Sequence, residues 1–137
     1  MGCNMKAKTF TSVDGLELII KNRKSAIIFE VNQEQLINKK YNIDLKFEPM
    51  NIIELYNYIE TISNESWTDV KPKEAYSFGS DYYEYYDKEL DNNGYLRIKE
   101  NTLNLERPSL DSKRFYQFNK KKIESFLYDF KKLVKEN

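Results

Sequence analysis

The chain has 137 residues, 40% hydrophobic and 15% aromatic, with 22 basic and 22 acidic side chains and no histidine. That length fits one domain, since either half alone would bury too small a core, and the zero net charge supplies no overall field to draw in nucleic acid or an anionic membrane. Without histidine the commonest general base, the usual catalytic triads and most zinc sites are excluded, and the lone Cys3 allows neither an internal disulfide nor a cysteine metal site.

Residues 1–6 show no periodic pattern and are expected to fray at the edge of a single domain spanning 1–137. Gly2 and Cys3 resemble the start of an acylated N-terminus, although Lys6 stands where that motif takes Ser or Thr. No apolar stretch approaches the roughly 18 residues of a membrane span, and the first residues lack the apolar core of a secretory signal. A cytoplasmic protein with no membrane partner is expected.

Leu16, Leu18 and Ile20 alternate with Glu17, Ile19 and Lys21, and the polar Asn22-Arg23-Lys24-Ser25 leads into Ala26-Ile27-Ile28-Phe29. This is the pattern of a β-hairpin whose second strand is well buried. The polar stretch 32–40 suits a loop or one helical turn. From 41 to 47 the alternation is strict, with Tyr41, Ile43, Leu45 and Phe47 on one face of a predicted half-exposed strand. Pro49 fits the first turn of a helix, and Ile52, Leu55, Tyr56, Ile59 and Ile62 follow at helical spacing, which predicts a helix over about 49–62.

The pattern breaks down around Trp67 and Pro72. Residues 75–78 then read as a short strand ended by Gly79-Ser80. Asn92-Asn93-Gly94 supplies residues that tolerate a turn, and 95–99 and 102–106 form the arms of a hairpin joined through Glu100-Asn101. Residues 114–118 read as a last strand. Asn119 can cap a helix over 120–135 that carries Ile123, Phe126, Leu127, Phe130, Leu133 and Val134 on one stripe. Hairpin-length connections in place of βαβ crossovers predict an α+β fold, a mainly antiparallel sheet with both helices packed on one face.

Two stretches carry candidate function. Residues 81–91 hold five carboxylates against Lys88, a net charge of −4, with four tyrosines interleaved. Tyrosine offers a rigid, amphipathic contact area, and acids beside it would complement a basic protein surface. Tyr82, Tyr83, Glu84, Tyr85, Tyr86, Asp87 and Glu89 are therefore the expected partner-binding residues of a non-catalytic protein-binding module, of inhibitor or immunity type. The competing structural expectation is a strand or helical edge that buries two of the tyrosines in the core and solvates the acids.

The alternative is a nucleic-acid-binding accessory protein that uses Lys120, Lys121, Lys122 and Lys132 on the last helix, in a stretch 113–137 of net charge +5. Against it, only four of the basic residues are Arg, and cations at a helix start oppose the macrodipole unless an anion is bound there. Asp44 and Lys46 have the strand spacing of metal-dependent nucleases, with Asp14 or Glu30 as the upstream candidates for the further acid, a pattern too short to specify a metal centre. No catalytic residue, metal ligand or cofactor is expected. Trp67 is expected to be buried, and a homodimer through an open sheet edge is compatible with the pattern.

Overall fold

A computed structural model describes residues 5–36 and 41–135; Gly2, Cys3 and the 37–40 part of the polar loop lie outside the described residues. The elements are β1 (Lys6–Thr11), β2 (Glu17–Arg23), β3 (Ala26–Val31), β4 (Asn42–Lys46), α1 (Pro49–Ser66), β5 (Glu84–Asp87), β6 (Asn92–Lys99), β7 (Thr102–Glu106), β8 (Arg114–Phe118) and α2 (Lys120–Lys135), with single 3-10 turns at Gln33–Gln35 and Phe78–Ser80. The class is α+β, as expected. The strands divide into two antiparallel four-stranded sheets, β1-β2-β3-β8 and β4-β7-β6-β5, where a single sheet was expected.

Division follows from pairings that no local signal announces. The hairpins β2–β3 and β6–β7 close through Ser25 and Glu100, both with positive φ (64° and 51°), and pair strands adjacent in the chain. By contrast, Phe29 pairs with Tyr116 and Ile43 with Leu105, across most of the domain. The first helix packs on β2, β3 and α2, while α2 packs on β6 and β8, so α2 bridges the two sheets. Its Phe126 and Phe130 continue an aromatic chain from Phe29 and Phe118 to Tyr56 on α1, with neighbouring ring centroids 5.1–5.4 Å apart. Such ring pairs contribute about 0.5–1.5 kcal/mol each beyond area burial.

Local differences have local causes. Strand β1 escaped the sequence pattern because only Phe10 turns inward while Lys6, Ala7, Lys8 and Thr9 are exposed. The first helix runs on to Ser66 because its buried face ends in Ser63 and Ser66, with Ser63 Oγ donating to the Ile59 carbonyl at 2.7 Å; polar residues there hide the apolar period. Tyr41 is half exposed because the β4–β7 ladder ends at Asn42↔Glu106, one residue short of it.

No strand forms at 75–78; residues 71–79 run exposed along the surface, because their main chain is bonded to α2 and to its own turn instead of to a strand. Nor is Asn92-Asn93-Gly94 a turn. These residues open β6, and the reversal falls earlier, where Asp91 takes φ 49°. Gly94 is needed for close approach: a Cβ would lie 2.4 Å from Tyr85 Cε1 and 2.9 Å from the Phe115 carbonyl oxygen.

Candidate interaction surface

The segment between α1 and β5 is held on its inner side by polar residues of α2. Glu124, buried on that helix, accepts from the Lys71 N–H through its carboxylate at 2.8 Å and from the Lys73 N–H through its main-chain carbonyl at 3.2 Å. Ser125 Oγ donates to the Ser80 carbonyl at 2.6 Å and accepts from the Tyr82 N–H at 3.2 Å. Ser80, itself buried, accepts at Oγ from the N–H groups of Tyr76 (2.9 Å) and Ser77 (3.1 Å), which locks the Phe78–Ser80 turn. At the tip of this tied-down turn Phe78 is 91% exposed, and Tyr76 is 61% exposed.

The expected partner-binding residues separate into two groups. Tyr82 packs on Phe126 with centroids 5.2 Å apart, donates to Asp129 Oδ2 at 2.8 Å, and its carbonyl accepts from the Tyr116 hydroxyl. Tyr85 is buried against Tyr116, centroids 4.9 Å apart. Asp87 is buried too: its Oδ1 accepts from the Glu89 and Leu90 N–H groups at 3.0 and 3.1 Å, and its Oδ2 lies 3.8 Å from Arg114 Nη1. These three serve the fold. Burial above all, with Asp129 and Asp87 adding to it, pushes the Tyr82 and Tyr85 phenols far above the usual range.

Tyr83, Tyr86 and Glu89 remain exposed and Glu84 is half-buried. Tyr83 accepts from Arg97 Nη2 at 2.7 Å, with the guanidinium over its ring, and the Tyr86 hydroxyl donates to Asp91. The net −4 of the run is partly compensated, since Arg114 stands beside Asp87, and Lys122 Nζ donates to the Asp81 and Glu84 carbonyls at 2.9 and 2.5 Å. Desolvation lowers the Lys122 pKa, against the opposing pull of Asp81 and Glu84. Tyr76 and Phe78 escaped the sequence reading; their signal is two aromatics in a stretch without periodicity, bracketed by Pro72 and Gly79.

The lysines of the alternative are not brought together. Lys120 turns toward the β2–β3 turn, Lys121 is exposed, Lys122 is tied to the carbonyls, and Lys132 sits over the Tyr128 ring (4.5 Å) near the far end of α2. At 1.5 Å per residue, about 18 Å of helix separates Lys120 from Lys132. Asp44 lies on the exposed face of β4 and accepts from Asn104 Nδ2 at 2.6 Å, while Glu30 pairs with Lys21 at 3.1 Å in the other sheet. Among the described residues no three His, Cys, Asp or Glu side chains are grouped to hold a metal, and no helix is long and apolar enough to cross a membrane.

Two clefts meet at Ser25. One, of about 500 Å3, lies between the Phe78 turn and β8 and is lined by Gly79, Tyr85, Tyr86, Asp87, Glu89 and Arg114. The other, of about 600 Å3, lies between the β2–β3 turn and the end of α1 and is lined by Asn22, Arg23, Lys24, Trp67 and Lys120. Trp67, expected inside, is half-buried against the core.

The chain matches no protein-family model, no curated protein and no solved structure. Its surface chemistry alone then bears on function.

Proposed function

We propose that the chain is a non-catalytic protein-binding module whose contact surface centres on Phe78 and Tyr86, with Glu89 at the cleft between them and Tyr76 and Tyr83 on the same segment. The exposure of Phe78 carries this reading. A phenylalanine left in water forgoes about 1.5–3 kcal/mol of burial, and here the turn beneath it is bonded to buried Ser80 and Ser125, so the ring is held outward and not frayed. Rigid aromatic anchors beside a cleft are the usual centres of binding energy, and a turn ordered in advance lowers the entropy lost on association. The exposed carboxylates Glu89 and Asp91 favour a partner with a basic surface, which an inhibitor or immunity-type protein would occlude.

The test is affinity capture from lysate of the source cells, with and without nuclease treatment, with the wild type and the double variant Phe78→Ser/Tyr86→Ser as parallel baits. A stoichiometric protein retained by the first and lost by the second, at equal melting temperature, supports the proposal. Equal capture by both baits removes this surface. Retention that nuclease abolishes would favour the nucleic-acid reading and direct mutagenesis to Lys120, Lys121, Lys122 and Lys132.

A further inference from the structure

Strand β1 ends one sheet, and its outer edge is open. The Ser12 N–H donates to the Leu16 carbonyl at 2.8 Å, and Phe10 stands opposite Leu18 in the same antiparallel ladder. The main chains of Lys6, Lys8 and Phe10 therefore face β2, and those of Ala7, Thr9 and Thr11 face away from it. Among the described residues none bonds these outward N–H and C=O groups, and the three side chains are small and exposed. The other edges are not open in this way. The outward carbonyl of Lys46 on β4 accepts from the Val13 N–H at 2.8 Å, β5 has only 4 residues, and β8 packs against β5 and β6.

An unpaired edge recruits another strand unless it is guarded by a bulge, a proline or outward lysines. The ladder of β1 with β2 is regular, and the strand holds no proline. Its two lysines are turned back on their own chain. Lys6 Nζ pairs with Glu65 of α1 at 3.1 Å, and Lys8 Nζ lies 5.2 Å and 4.9 Å from the ring centroids of Phe10 and Tyr58.

We propose that β1 pairs antiparallel with β1 of a second copy of this chain, across a twofold axis at Thr9. The register follows from the outward groups, because Ala7, Thr9 and Thr11 must bond one another. An axis at Lys8 sets Lys8 opposite Lys8, and an axis at Ala7 sets Lys6 opposite Lys8; like charges directly opposite destabilise a strand pair. An axis at Phe10 calls on the Val13 N–H, which is already bonded. With the axis at Thr9 all three outward residues are used, Ala7 against Thr11 of the second copy, and each Lys8 stands opposite the other copy's Phe10, a cation beside a ring. Charge also selects an identical edge over a foreign strand. β1 has two lysines and no acid, while α1 beside it carries Glu54, Glu60 and Glu65 and no base. A foreign strand of either sign would meet like charge there, whereas a second copy brings both signs. β1 and β8, which borders the Phe78–Tyr86 cleft, are the two ends of one sheet, so the inference stands apart from the protein-binding reading.

Sedimentation equilibrium across a hundredfold range of concentration tests the pairing. The mass should rise from 16.4 kDa toward twice that value, and Thr9→Pro should weaken association at least tenfold. The Thr9 N–H faces away from β2, so proline there removes no bond within the chain, and the melting temperature at low concentration checks that the fold is kept. Single cysteines in a Cys3→Ser chain read the register. Thr9→Cys should form an interchain disulfide under mild oxidation, because directly bonded residues have Cα atoms about 5.5 Å apart, and Thr11→Cys, far from its own counterpart, should not. The same two variants decide the matter if Thr9→Pro does not fold. A monomer at every concentration, a dimer unaltered in folded Thr9→Pro, or equal cross-linking of the two cysteine variants would overturn the inference. The Phe78→Ser/Tyr86→Ser variant should dimerise as the wild type does, which keeps this test apart from that of the protein-binding surface.

Discussion

Ser125 on α2 bonds the main chain of Ser80 at 2.6 Å, and through that contact a residue inside the protein decides where an exposed ring stands two positions earlier. Ser125 is buried and cannot touch a partner itself. Ser125→Ala should leave the Ser80 carbonyl and the Tyr82 N–H without their side-chain partner, destabilise the domain by about 1–3 kcal/mol, and weaken partner capture. Phe78→Ser should change stability by no more than about 0.5 kcal/mol, because the ring has almost no contacts to lose. Urea unfolding of both variants checks the pair; a Ser125→Ala protein as stable as wild type would show that the bond does not hold the turn.

Gly94→Ala should be among the most damaging single-methyl changes. The added carbon would stand 2.4 Å from a Tyr85 ring carbon and 2.9 Å from the Phe115 carbonyl, and a main-chain oxygen cannot step aside as a long side chain can. Overpacking of this kind costs about 1–3 kcal/mol. Thermal melting should show the loss, and Tyr85→Leu in the same chain should relieve part of it.

Asp87 and Arg114 form an ion pair with unequal partners. Asp87→Ala removes a buried acceptor of two N–H groups in the turn after β5, at a cost of about 1.5–3 kcal/mol. Arg114→Ala removes a partly exposed cation whose nearest approach is 3.8 Å, at a cost of about 1 kcal/mol or less. Denaturant titrations that gave equal losses would show that the ion pair, and not the turn, is what Asp87 supplies.

Stability should fall above pH 10. Burial raises the phenols of Tyr82, Tyr85 and Tyr116 above their ordinary 10.0 and pushes Tyr56, which also donates to Glu60, up to about 12. The folded chain holds these protons longer than the unfolded chain, so their contribution is complete below pH 10 and is lost as pH rises through the folded values. Lys122, with its lowered pKa, works in the opposite direction but is a single, half-exposed group. Melting temperature against pH, with phenolate absorbance read in parallel, should show the Tyr82, Tyr85 and Tyr116 phenols titrating only as the chain unfolds; early ionisation of all the tyrosines would contradict their burial.

The last helix was legible because its signals are local and dense: the apolar stripe recurs every turn, and Asn119 Oδ1 accepts from the Lys122 N–H at 2.9 Å, as its cap position predicts. Pro49 and the Ile52–Ile62 spacing marked α1 for the same reason. The turns after Arg23 and Lys99 join strands adjacent in the chain, so both hairpins could be read. The 81–91 run was visible as a composition, and its division was not. Tyr85 goes inside because Gly94 leaves room across the strand pair, and Asp87 because the turn after it needs an acceptor.

The antiparallel α+β class, the hairpins β2–β3 and β6–β7, the strands β4 and β8 and the core stripe of each helix were thus legible in the chain, through periodicities that act within a few residues. The tertiary structure alone decided the split into two sheets, the exposure of Phe78, the contact of Lys6 with Glu65 and the meeting of Lys120 with Arg23 and Lys24. Each depends on residues tens of positions apart being brought together by burial, and the free energy of burial registers which surface is covered without leaving a mark in the local pattern of the chain.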